Sequence, residues 1–267
     1  MRSRDAATDA SVLRGAAYAT PTLLLDRASL YAYRTEPLDF VAWVLGQAGW
    51  AHVGAALDVG CGTGQYTRSL IDRGVAVTAV DLSEGMVRTA VADGVRSAGV
   101  ADARRLPFPD STFDRVVAAH MLYHVPDRSA GAAELARALA PDGVALVVTN
   151  GGGHLRELRE AMGRAGGIGT PVSENFLLDA AGGAVLATAF DEVEVIRHVG
   201  RIEVPDAEPV VRYAASCRAL DEPAMQVPWD EMMAGFRSAV DAEIERAGSF
   251  GITTDTGVFR CTRPAHR

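Results

Sequence analysis

The sequence contains no lysine, so all 26 of its cationic residues are arginine. That absence excludes Schiff-base catalysis, covalent attachment of pyridoxal phosphate and the phosphate-binding lysine of a P-loop. Cysteine is scarce too: Cys61, Cys217 and Cys261 are odd in number, far apart and form no CxxC pair. A disulfide framework or zinc ribbon is therefore disfavoured, and a reducing, cytoplasmic setting is expected. Long apolar runs are missing. The N-terminal stretch offers only Leu23-Leu24-Leu25, whereas a signal peptide needs a longer run and a membrane helix about 20 apolar residues. Positive charge is in deficit, with a formal net charge of −8, which argues against nucleic-acid and anionic-membrane partners.

What remains is ordinary for a globular chain: 267 residues, 48% hydrophobic and 22% charged. That is enough for one large domain, or one domain with an insertion. No internal repeat or low-complexity linker interrupts it. Residues 1–20 are small and polar and are expected to be poorly ordered. From Leu23 to Trp50 apolar residues recur at helical spacing, and Pro37 divides them into two helices.

Short β-branched runs then alternate with helical stretches. Strands are expected at 55–60, 75–81, 95–103, 112–120 and 143–150, and helices at 64–74, 83–94 and 127–143. Further on, 155–166 reads as helix, 190–204 as strand, 229–248 as a long amphipathic helix and 257–263 as a last strand. The expected fold is α/β: a doubly wound, Rossmann-like, mostly parallel seven-stranded sheet with an antiparallel edge strand. Residues 1–50 form an N-terminal helical lid, and 51–267 the main domain, with acceptor-binding elements in about 151–250.

The first strand-to-helix turn reads "LDVGCGTGQYT". Gly60, Gly62 and Gly64 leave the backbone bare where ligands of doubly wound sheets bind, and the next helix offers free N–H groups. The dinucleotide spacing is broken, because its third glycine position falls on Gln65. Asp58, two residues before Gly60, suits an ammonium better than a pyrophosphate. Asp81 ends the second strand, where a carboxylate accepts both hydroxyls of a ribose. Asp102 follows the third strand, placed to accept from a purine amine. An amino-acid end, a ribose and an adenine together describe S-adenosylmethionine.

"LDVGCGTG", "VTAVDLSEGMV", "ADARRLPFPDSTFDRVVAAHMLYHVPD" and "GVALVVTN" resemble, in order, the motifs of class I S-adenosylmethionine-dependent methyltransferases. The nearest branch is the small-molecule one that includes ubiquinone/menaquinone methyltransferases. The resemblance covers roughly residues 36–150. It implies that Asp58, Gly60, Cys61, Gly62, Gly64 and Gln65 surround the methionine moiety. Asp81 would take the ribose, Leu82 and Met86 pack on the adenine, Asp102 and the Ala103 amide bind its edge, and His120 sit beside the sulfonium. For Met86 helix core is an equal alternative, and for Cys61 a simple fit to the turn outweighs reactivity.

Transfer from a sulfonium needs an in-line approach and little else, so a base matters only where the acceptor must lose a proton. His120 and His124 in "HMLYHVPD" are the candidate bases, with a packing role the competing explanation. Their i,i+4 spacing lacks a third ligand, so no metal is expected. The acceptor pocket would draw on Tyr31, Tyr33, Trp43, His154, Phe176, Tyr213 and Trp229. Tyr33 with Arg34 is the expected lid over the cofactor carboxylate, and Arg104 and Arg105 read as solvated loop charges. The expected activity is methyl transfer to a small organic acceptor, with monomer and homodimer both open. The alternatives are a methyltransferase-like fold catalysing another reaction, a nicotinamide-dependent oxidoreductase or a non-catalytic binding module.

Overall fold

The computed structural model describes residues 8–17, 22–168 and 175–265. Much of the segment expected to be poorly ordered, and the end of the chain, therefore lie outside the described residues. A helical turn over Ala10–Val12 continues as a wider turn over Leu13–Ala17. Helix α1 (Thr22–Ser29) runs on as a 3₁₀ turn, Leu30–Tyr33, and α2 spans Phe40–Leu45. Pro37 lies between them, as its missing N–H requires.

The sheet then builds as expected: β1 (Ala56–Val59), α3 (Gln65–Ile71), β2 (Val77–Asp81), α4 (Glu84–Ala92), β3 (Ala98–Val100) and β4 (Phe113–Ala119). Helix α5 (Arg128–Ala138) hands over directly to β5 (Leu139–Asn150). The helix therefore stops five residues before the expected end at 143. Leu139 already pairs with Phe113, and the register resumes at Arg115 with Val144. The Pro141-Asp142-Gly143 segment is thus a bulge in the strand rather than the last turn of the helix.

The second half comprises α6 (Arg156–Arg164), α7 (Ala180–Leu186), β6 (Phe190–Val204), α8 (Ala207–Ala215), α9 (Arg218–Asp221), α10 (Trp229–Ala247) and β7 (Phe250–Pro264). Sheet order is β3-β2-β1-β4-β5-β7-β6, with β7 antiparallel to both neighbours and β1 to β5 parallel. The antiparallel strand sits one position in from the β6 edge. Charged Glu192, Glu194, Arg197 and Arg201 punctuate β6, which protects that edge from pairing with another chain.

Alternation along each central strand feeds two cores. Val116, Ala118, Ala145 and Val147 pack with Leu135 and Leu139 on one face. Val117, Leu146 and Val148 pack with Val44, Leu45, Tyr66 and Leu70 on the other. Both faces are covered, which is why these strands read as unbroken apolar runs. A third core lies beyond the sheet. β7 pairs with β5 only from Thr256 onward, whereas β6 accompanies it back to Phe250. The β6–β7 ribbon thus overhangs the carboxyl ends of the parallel strands by about 20 Å. On that overhang Ile202, Val204, Phe250 and Ile252 gather Leu30, Leu158, Val210, Trp229 and Phe236 from the surrounding helices. This layer forms a roof over the crevice.

Candidate active site

Between roof and sheet lies a cavity of about 670 Å³. Its floor is the first strand-to-helix turn. Gly60, Gly62 and Gly64 have φ of +72°, +54° and +82°, values that disfavour any side chain with a Cβ. Gly60, Cys61, Gly62 and Gln65 line the cavity, and the Leu24 side chain of α1 reaches over Gly62. Gly64 does not line it. A Cβ there would lie 2.9 Å from Val95, so this glycine lets the turn close on the end of α4. Asp58 is also withdrawn. It faces the opposite side of β1 from Leu57 and Val59, is fully buried, and accepts a 2.6 Å hydrogen bond from the Thr67 hydroxyl. Burial pushes its carboxyl up to about 6 against that hydrogen bond.

Asp81 holds the loop from the next strand. Its two oxygens accept from the Gly62 amide at 2.9 Å and the Ser83 amide at 2.8 Å. Burial raises its pKa, and these amides oppose the rise. Each carboxylate oxygen keeps a second lone pair, so hydroxyl donors can still approach from the cavity. Leu82, Met86, Asp102 and Ala103 continue the wall. Asp102 is half-exposed and paired: Arg104 clasps it, with Nη2 to Oδ2 at 2.6 Å, and the pairing holds the carboxyl below its usual range. Arg104 is exposed, as expected of a loop charge, and in addition pairs with Asp102 at the cavity wall. A purine amine would have to share this acid with Arg104.

His120 follows β4 at φ +54°, and its ring lies 6.1 Å from that of Phe40. It lines the cavity, and desolvation pushes its pKa down to about 4, so the imidazole is neutral near pH 7. His124 sits on a 3₁₀ turn, Leu122–His124, edge-on to Tyr123 at 4.6 Å.

The roof supplies Leu24, Arg27, Ala28, Tyr31 and Arg34 to the cavity. Tyr33 is not among them. The segment 30–33 is a 3₁₀ turn with three residues per turn, so Tyr31 and Arg34 share one face, on the cavity, while Leu30 is buried in the roof core and Tyr33 packs partly buried against it. Trp43, Phe176 and Trp229 likewise serve packing: Trp43 meets His198 edge-on at 5.6 Å, and the other two are buried in the cores. Arg34 spreads its guanidinium over the rings of Tyr31 (5.2 Å) and Phe40 (5.7 Å). Its Nε and Nη1 are buried without an acceptor, and the side-chain Oδ1 of Asn150 at the end of β5 is buried without a donor. Unsatisfied buried polar atoms are costly, and here they cluster around a cavity where a ligand can pair with them.

Tyr31 and His154, both expected in the acceptor pocket, line the cavity and form a relay whose pairing had no signal in the sequence. His154 accepts a 3.1 Å hydrogen bond at Nδ1 from the Asp255 amide, and its Nε2 lies 3.0 Å from the Tyr31 hydroxyl. An imidazole that accepts at Nδ1 and is neutral carries its proton on Nε2. Burial pushes the His154 pKa down to about 3, which fixes that neutral form. Nε2–H therefore donates to Tyr31, and the Tyr31 O–H is left to donate into the cavity. Asp255, on the overhang, is itself clamped by Arg197 at 2.6 Å and by the Gly153 amide at 3.0 Å. The two partners are 123 residues apart in sequence, which hid their relation.

Comparisons with known proteins agree with this geometry. A family described as Methyltransferase domain matches residues 57–147. Ubiquinone/menaquinone biosynthesis C-methyltransferase UbiE of Geobacter sulfurreducens is 40% identical over 110 residues, 37% of this chain and 43% of that protein. Malonyl-[acyl-carrier protein] O-methyltransferase of the same organism is 34% identical over 197 residues, 64% of this chain and 73% of that one. The chain thus spans less than half of the first relative and nearly three quarters of the second. Among solved structures, a Haemonchus contortus phosphoethanolamine N-methyltransferase 2 shares the fold, with a TM-score of 0.59, 19% identity, and coverage of 95% of this chain and 59% of that one. The bare glycine turn, the acid closing β2 and this sustained likeness place the chain among the class I S-adenosylmethionine-dependent methyltransferases.

Proposed function

We propose that the protein transfers a methyl group from S-adenosylmethionine to a small organic acceptor bound under the roof. The observation that carries this reading is the Asp81–Gly62 contact, which holds the bare turn open toward a cavity lined by complementary groups. In this reading Gly60, Cys61, Gly62 and Gln65 take the amino-acid end, and Asp81 the ribose hydroxyls. Leu82 and Met86 pack on the adenine, and Asp102 and the Ala103 amide take its edge. Arg34, half-buried with Nε and Nη1 lacking an acceptor, is suited to the cofactor carboxylate. Asp58 and Gly64 support the turn from behind, through Thr67 and Val95.

The cofactor supplies an already activated methyl group, so the chain's task is to orient the acceptor and keep water out. Helix α1 closes over the glycine turn through Leu24 and acts as the lid. Tyr31 directs its O–H at an acceptor oxygen. His120, neutral and at the end of β4, can take a proton from an acceptor that must lose one; His124 is the weaker candidate. Buried Cys61 and Cys261 keep their thiols protonated, which fits a reducing cytoplasm and no role for sulfur in the reaction. No described helix is long and apolar enough to cross a membrane.

The test is to incubate the protein with isotopically methyl-labelled S-adenosylmethionine and fractions of small metabolites. Release of S-adenosylhomocysteine together with one labelled product is expected. Tight binding of NADH with none of S-adenosylmethionine would overturn the reading.

A further inference from the structure

Three aspartates are buried among the described residues: Asp58, Asp221 and Asp255. Asp58 has the Thr67 hydroxyl, and Asp255 has Arg197 and the Gly153 amide. Asp221, only 9% exposed at the end of α9, accepts no hydrogen bond from any described residue and forms no ion pair with one. It lines the same cavity, beside Leu220, Cys217, Tyr213 and Arg27. Arg27 is turned to the Ser216 carbonyl oxygen, at 3.5 Å, and acts on Asp221 only through its field. A buried carboxylate without donors is destabilising, and a folded protein tolerates one where a ligand completes it. Leu13 and Leu220 pack on each other beside it, so its surroundings on the cavity wall are largely apolar.

We propose that Asp221 receives a cationic amine of the acceptor, so that the substrates of this protein are small amine-bearing molecules seated between α9 and the Tyr31 hydroxyl. The inference rests on the cofactor reading above and extends it to the other end of the cavity. Burial pushes the Asp221 carboxyl up to about 7, with Arg27 pulling it back. The free protein therefore carries the acid partly protonated near neutrality, and an ammonium drives it to the charged form. The cost of holding it is borne by the ligand-free fold.

The test uses the full chain saturated with S-adenosylhomocysteine and three probes with one apolar body: 2-phenylethylamine, 2-phenylethanol and 3-phenylpropionate. Calorimetry is expected to show the amine binding at least about tenfold tighter than the alcohol, a factor of 1.4 kcal/mol. The propionate should bind weakest. In Asp221→Asn the preference for the amine should vanish while S-adenosylhomocysteine affinity is unchanged. The thermal midpoint of ligand-free Asp221→Asn at pH 8 should rise by about 2–4 °C. Equal binding of the three probes, an amine preference that survives Asp221→Asn, or a lowered midpoint would each overturn the proposal. Failure of S-adenosylhomocysteine itself to bind would instead strike the cofactor reading, and this inference with it.

Discussion

The two walls of the cavity are made differently. The floor, over residues 57–103, presents backbone: a left-handed glycine turn whose Gly62 amide is pinned by Asp81. The roof presents side chains, Tyr31, Arg34, His154 and Asp221, drawn from three separated segments, two of which are tied to the overhanging β6–β7 ribbon through Asp255 and Ile202. A backbone wall binds whatever shares one polar outline, and it changes only if glycine or the acid changes. A side-chain wall can be rebuilt one residue at a time. The floor therefore suits a common cofactor and the roof an individual acceptor.

This contrast can be broken in order of effect. Gly62→Val should do most damage: φ of +54° is hostile to a β-branched residue, and the new side chain points toward Leu24. S-adenosylhomocysteine affinity, measured by calorimetry, should fall about 100-fold, roughly 2.7 kcal/mol. Circular dichroism should still show a folded chain. Asp81→Asn comes next. It removes charge-assisted acceptance of the Gly62 amide and of ribose hydroxyls, worth about 1.5–3 kcal/mol, so affinity should drop about 10–100-fold. Unchanged affinity in either variant would mean that the floor does not carry the cofactor.

Changes in the roof should leave the cofactor alone. Tyr31→Phe deletes the O–H that points into the cavity and leaves the His154 Nε2–H without its acceptor. S-adenosylhomocysteine affinity should stay within about twofold, while methyl-transfer kcat/KM falls about 5–10-fold, the loss of one ordinary hydrogen bond. An equal loss of cofactor affinity would show that the two walls are not separable.

The smallest effect concerns Asp58, which lies behind the floor. Its folded pKa, about 6, is above the ordinary value of 3.8. The folded state thus binds more protons than the unfolded one between those values, and stability contributed by protonation is lost as pH rises through about 6. Thermal unfolding of wild type compared with Asp58→Asn should show a difference that drifts in favour of Asn between pH 4 and 6, then levels off. A drift in the opposite direction would place a cation beside Asp58.

The floor was legible in the sequence because its signals are local. Three glycines, one acid at the end of β2 and short, nearly unbroken apolar strands each speak within a few residues. Even there, spacing could not show that Asp58 and Gly64 face away from the ligand, since that depends on Thr67 and Val95. Nor could it show that Arg104 would reach back to clasp Asp102. The roof was less legible. Tyr33 was the expected lid residue, but a 3₁₀ turn rotates Tyr31 into the cavity instead. The role of Tyr31 depends on His154 and, through it, on the Asp255 amide, both far along the chain. Asp221 sits in "CRALDEP", where nothing distinguishes it from an exposed helix-end acid. Helices α7 and α8 also escaped notice, their apolar spacing being too short to stand out against alanine and glycine.

The most direct test of the division between floor and roof is a crystal structure with S-adenosylhomocysteine. The ribose hydroxyls should lie within hydrogen-bond reach of Asp81, with the homocysteine end against Gly60 and Gly62. Space beside Tyr31 and Asp221 should remain for the acceptor. A nucleoside bound against the roof residues, with Asp81 holding only its own loop, would contradict the account.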